Sequence, residues 1–92
     1  MSEDQQEYEV KIHRRVERFL RRHKDLAANW VGILSKISTS PRKGARISHL
    51  KGNFHCNYRW REGTYRFIYE VRDEDSLVHV YQAESRGSVY GH

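Results

Sequence analysis

Ninety-two residues, 37% of them hydrophobic and 32% charged, can build one small core and exclude two independent ones. The formal net charge is +5, and four of the acids (Glu3, Asp4, Glu7, Glu9) fall in the first ten residues, which hold no Lys or Arg. The remainder of the chain is strongly basic and suits nucleic acid, an anionic membrane surface or an acidic protein. A single cysteine, Cys56, excludes an intrachain disulfide and fits a reducing cytoplasm, and no stretch approaches the ~20 apolar residues of a membrane-spanning helix.

The chain is expected to form one domain over residues 1–92, with 1–7 a flexible polar tail. Tyr8, Val10 and Ile12 alternate with Glu9 and Lys11, the period-two mark of a half-buried strand. The period then lengthens: Val16, Phe19, Leu20 and His23 follow helical spacing among arginines, which predicts a first helix over His13 to His23. Lys24-Asp25 reads as the joint, with Asp25 placed to cap the next helix. Leu26, Trp30, Ile33, Leu34 and Ile37 form the strongest helical stripe. Trp30 reads most simply as a core anchor, with a base-stacking platform as its alternative.

Ser38 to Arg46 holds the only proline, Pro41, with Arg42, Lys43 and Arg46. It is a polar connector whose basic residues either face solvent or contact phosphate. The chain then turns to strands. Ile47 to Leu50 is short and is ended by Lys51-Gly52-Asn53. Cys56, Tyr58 and Trp60 alternate with Asn57, Arg59 and Arg61. Glu62-Gly63 reads as a hairpin turn, Tyr65 to Arg72 as a strand, Asp73 to Ser76 as a turn and Leu77 to Ala83 as the last strand. The sum is an α+β domain: an N-terminal strand, then an antiparallel helical hairpin packed on a twisted, mainly antiparallel sheet of four or five strands. The other face of the sheet stays open. Strand periodicity puts Asn57, Arg59 and Arg61 on one face of their strand, opposite Tyr58 and Trp60, and brings Arg66 to the open face if Phe67 and Tyr69 pack under the helices.

An arginine set among Tyr65, Phe67 and Ile68 needs a partner for its charge. A phosphate matches its planar fork; Glu70 or Glu84 could also pair with it. The closing Arg86-Gly87-Ser88-Val89-Tyr90 repeats the combination of arginine and tyrosine. The six histidines show no metal-ligand spacing, so no metal and no cofactor is expected. His79, alternating with Tyr81, is either a satisfied sheet histidine or a site residue.

Together these segments resemble the RelE/ParE superfamily of toxins from toxin–antitoxin pairs, and the RelE branch in particular. The resemblance runs from Val10 to Tyr90 and rests on the strand–helix–helix order, Ser40-Pro41, Leu50-Lys51-Gly52, Gly63-Thr64-Tyr65-Arg66-Phe67-Ile68-Tyr69 and Arg86-Gly87-Ser88-Val89-Tyr90. It implies a RelE-like microbial RNase fold and a ribosome-dependent endoribonuclease that cuts messenger RNA in the ribosomal A site without a metal. The ribose 2′-oxygen would attack the adjacent phosphate and leave a 2′,3′-cyclic phosphate and a 5′-hydroxyl. Carried over residue by residue, Arg66 would stabilise the phosphorane, Arg86 would contact the scissile phosphate, and Tyr90 would orient or deprotonate the 2′-hydroxyl or stack on a base. A lysine pair that some RelE members carry would fall at Asn57 and Arg59; Arg59 keeps the charge and Asn57 does not. Lys51, Asn57, Arg61, Arg42, Lys43 and Arg46 would bind RNA. The implied partners are a RelB-like acidic antitoxin, partly disordered when free, and the ribosome with its messenger and its 16S and 23S RNA, in the cytoplasm and away from membranes. Two other readings share the fold: a ParE-like gyrase poison, and an RNA- or protein-binding module without catalysis.

Overall fold

The computed structural model describes residues 7–50 and 57–85. Strand β1 (Glu9–Ile12) leads into helices α1 (Arg14–Arg22) and α2 (Lys24–Thr39). They are followed by β2 (Ile47–His49), β3 (Asn57–Glu62), β4 (Tyr65–Arg72), a single 3-10 turn at Asp73–Asp75 and β5 (Leu77–Ser85). The five strands form one sheet in the order β1-β5-β4-β3-β2. β1 runs parallel to β5, and the other three pairings are antiparallel. The expected α+β class and mainly antiparallel sheet are therefore the observed ones.

The helical hairpin covers one face of this sheet. Leu26, Trp30, Ile33 and Ile37 from α2 and Val16 from α1 are buried against Tyr58, Trp60, Phe67, Tyr69, Val71, Val78 and Val80. The aromatic members carry much of the burial, each worth up to a few kcal/mol. Trp30 lies 4.7 Å from the Phe67 ring and is a core residue, so its alternative as a base platform falls away. Tyr58 stacks at 6.0 Å on Tyr69, whose hydroxyl donates to the Pro41 carbonyl at 2.5 Å. That bond anchors the connector beneath the helical layer.

Several boundaries differ from those expected, each for a local reason. His13 and His23 flank α1 as caps and are not part of it. The His13 ring accepts from the Arg15 backbone N–H at 3.1 Å, a role usually filled by Ser, Thr, Asp or Asn. The joint between the helices is His23 alone: its N–H donates to Leu20, and its carbonyl receives Leu26 and Ala27. Asp25 therefore lies inside the first turn of α2 and accepts from the Tyr65 hydroxyl at 3.3 Å. α2 runs on to Thr39, where the Ser38 and Thr39 hydroxyls donate to the Ser35 carbonyl, and it stops before Pro41. β2 ends at His49.

The β3–β4 turn is Gly63-Thr64, not Glu62-Gly63, with Gly63 at φ +60° where a side chain would be strained. Glu62 stays in the strand because its carboxylate accepts from the Trp60 indole at 3.0 Å. β5 continues past Ala83 to Ser85 through an irregularity at Tyr81: Tyr69 pairs with Val80, and Ile68 already pairs with Gln82. Tyr81 is the extra residue of a β-bulge.

Candidate functional site

The helices leave the second face of the sheet uncovered by any other described element, and the registers fix what stands on it. At the hairpin end, Arg61 of β3, Arg66 of β4 and Glu84 of β5 are direct neighbours across three strands. One row further along, Ser48, Arg59, Ile68 and Gln82 lie side by side. The next row holds Asn57, Glu70, His79 and Lys11. Each row is about 7 Å from the last.

Arg61 and Arg66 oppose each other as like charges, an arrangement that is unfavourable unless an anion separates them. The counter-charge nearest to Arg66 is Glu84, at 3.9 Å and half-exposed. That separation is too long for a hydrogen bond, and such a pair is worth little in water. Glu70, the other expected partner, pairs with Arg72 at 3.5 Å instead. Among the described residues neither Arg59 nor Arg61 has a carboxylate within ion-pair distance. Arg61 also lines, with Ala45, Arg46 and Ser48, an open recess of about 380 Å³. Three guanidinium groups against one loosely held carboxylate make this end of the face a site for an anion with several oxygens.

Not every expected residue reaches this face. Arg42 sits at the far end of the sheet, donating to Asp73 at 2.6 Å and to the Tyr8 hydroxyl at 3.5 Å. The Arg42 bond holds the Asp73 carboxyl below its usual range, and the Asp73 bond in turn raises Arg42. Arg42 thus ties the connector to the β4–β5 turn. Lys43 lies on the helix side, in a cavity of about 330 Å³ with Lys36, Thr39, Ile47 and Trp60. Arg46 lines both this cavity and the recess beside Arg61, and approaches Glu62 at 3.9 Å. It marks the edge where the two faces meet. Lys51, Arg86 and Tyr90 lie outside the described residues. Among the described residues no three His, Cys, Asp or Glu side chains converge as metal ligands would, and no helix is long and apolar enough to cross a membrane.

Asn57 is on the open face, but its amide is already engaged: Asn57 Oδ1 accepts from the Tyr81 hydroxyl at 2.5 Å. Burial, and then the charge of Glu70, push the Tyr81 hydroxyl above its ordinary range, so it stays protonated as a donor at neutral pH. Strict alternation from His79 puts Tyr81 on this face but sends Gln82 to the other. The bulge keeps both on the open side, and nothing in the sequence marks a bulge. Tyr81 and Gln82 are among the residues of this face that sequence reasoning did not count in the site.

No protein-family model and no curated protein matches the sequence. Solved structures do. The chain is similar to one in the archaeal RelE–RelB complex from Pyrococcus horikoshii OT3, with 27% identity, a TM-score of 0.74, and coverage of 87% of this chain and 96% of that one. The isolated RelE toxin of E. coli matches with 25% identity and a TM-score of 0.72, covering 91% and 92%. The toxin–antitoxin complex RelBE2 from Mycobacterium tuberculosis matches in fold, with 24% identity, a TM-score of 0.71, and 87% and 92% covered.

Proposed function

We propose that this chain, a RelE-like toxin in fold, is the toxin of a type II toxin–antitoxin pair and acts as a metal-independent endoribonuclease on messenger RNA in the ribosomal A site. The observation that carries the reading is the arginine cluster on the open face, where Arg66 faces Arg61 and stands one row from Arg59 with a single carboxylate nearby. Arginines held this close without matched acids are suited to a phosphate that gains charge as it reacts.

In-line attack of a 2′-oxygen on the adjacent phosphate needs three services: a proton taken from the 2′-hydroxyl, charge stabilised on the phosphorane, and a proton given to the leaving 5′-oxygen. Arg66, anchored in the middle of the sheet between β3 and β5, supplies the second. Arg59 and Arg61 hold the flanking backbone, with Arg46 extending the basic track at the edge. The resemblance assigns the remaining contacts to Arg86 at the scissile phosphate and to Tyr90 at the 2′-hydroxyl. Because the proton donors available are weak acids, the ribosome's placement of the messenger is part of the catalysis. The cognate partner is an acidic antitoxin, drawn to a basic surface of this kind, and the setting is the cytoplasm.

The chemistry of the cut ends tests this reading. Messenger RNA on programmed ribosomes, treated with the protein, should yield fragments ending in a 2′,3′-cyclic phosphate and a 5′-hydroxyl, cut in the A-site codon. Fragments with 5′-phosphates, or intact RNA together with inhibited gyrase supercoiling, would overturn it.

A further inference from the structure

Beside its arginines, the open face carries three aromatic rings that phosphate chemistry does not use. His13 and His79 lie 6.3 Å apart, His79 and Tyr81 6.1 Å apart, and all three are half-buried. A ring that serves only to pack belongs in the helix-side core, with Phe67 and Tyr69, which are fully buried. These rings lie on the opposite face.

Two features fix Tyr81 in place. The bulge at the Ile68/Tyr69 register shift presents it as an extra residue on this side of the sheet, and bulges commonly re-aim a side chain beside a site. The Asn57 amide then takes its hydroxyl at 2.5 Å. Along the ladder Tyr81 falls between the levels of Ile68 and Tyr69 on β4, two to three residues from Arg66, or about 7–10 Å. That is within reach of the base next to a phosphate held by Arg59 and Arg66. An open recess of about 360 Å³ lies beside His79, lined by it with Lys11, Ile12, Glu70, Arg72 and Leu77.

We propose that His79 and Tyr81 form a nucleobase-stacking subsite for single-stranded RNA, which seats the base of a nucleotide flanking the phosphate held by Arg59 and Arg66, with Asn57 as the positioning residue that holds the Tyr81 ring. The inference rests on the phosphate-binding role of the arginine cluster. Sheet faces that bear aromatic residues bind single strands in this way: a ring takes the flat of a base while charged neighbours follow the backbone. Lys11 supplies such charge beside the rings, whereas Arg72 there is paired with Glu70 and Asp75. The subsite also gives the uncharged residue at 57 a function, because its carbonyl orients a tyrosine, which a lysine ammonium, a donor only, would not do in the same sense.

The test is binding of a short single-stranded RNA with 2′-O-methyl riboses, which cannot be cut, to the full chain by fluorescence anisotropy. Tyr81→Ala and the bulk-preserving Tyr81→Leu should each weaken binding roughly five- to a hundredfold, the loss expected of one base–aromatic stack. Removing the base at one position of the RNA should weaken wild-type binding by a similar factor and add nothing in Tyr81→Ala. Asn57→Ala should weaken binding in the wild type but not in a Tyr81→Phe background. Tyr81 variants that bind like the wild type, or losses that multiply with base removal, would overturn the subsite. If Arg66→Ala weakens binding while the Tyr81 variants do not, the stacking subsite alone fails. If Arg66→Ala also leaves binding unchanged, or the wild type does not bind, the arginine site and the subsite fail together.

Discussion

Arg66 and His13 show how far single side chains are set by their neighbours. Arg66 has a like charge on one side and a loosely held carboxylate on the other, so the fold gains little from it. Arg66→Ala should move the urea unfolding free energy by less than ~1 kcal/mol, as for other partly exposed ion pairs. A larger loss would make it a structural residue. His13 is the reverse case, since its neutral ring must accept the Arg15 N–H to cap α1. Desolvation, then the charges of Arg15 and His79, hold its pKa below 6.5. A histidine depressed in the folded state binds fewer protons folded than unfolded. Its contribution is therefore complete above pH 6.5 and is lost as pH falls through the folded value. The protection factor of the Arg15 amide, its exchange rate relative to the intrinsic rate at each pH, should fall below pH 6.5 in the wild type and stay constant there in His13→Ser, whose cap does not titrate.

At the scale of elements, the sequence was most legible where a period ran long enough to be counted. The stripe from Leu26 to Ile37 and the alternation through Tyr58 and Trp60 placed α2 and β3 on the correct faces, and with them Arg59, Arg61 and Arg66. Junctions were less legible, because each is decided by one or two particular hydrogen bonds that no periodicity encodes. The helix joint moved to His23 because Asp25 faces Tyr65, 40 residues away in sequence. The hairpin turn moved by one residue because Glu62 holds the Trp60 indole. The bulge at Tyr81 has no local signature at all, so Gln82, which it turns to the open face, was hidden. Arg42 looked like a phosphate ligand in a basic connector, yet its partner Asp73 is 31 residues away and on another element. The same connector depends on Tyr69, whose buried hydroxyl holds the Pro41 carbonyl. Tyr69→Phe leaves that carbonyl without this donor and should lower stability by about 1–2 kcal/mol, read as a shift in the urea midpoint. A midpoint unchanged from wild type would show that the connector is held by other contacts.

The whole molecule divides its labour between two faces of one sheet: the helical face supplies the core and the open face supplies the charge. If Arg59, Arg61 and Arg66 each neutralise one phosphate, binding of an uncleavable single strand should fall with salt with a log–log slope of about −2. A slope near zero would remove the electrostatic basis of the site. The central claim is that the arginines of the open face act on the phosphate during cleavage. Its most direct test is the rate of A-site cleavage on programmed ribosomes for the wild type, Arg66→Ala and Arg22→Ala, the last changing an exposed arginine of α1. The account predicts that Arg66→Ala slows cleavage by about a hundredfold or more, the usual cost of losing one group that stabilises a developing charge, while Arg22→Ala cuts at the wild-type rate. Equal rates in all three proteins would contradict it.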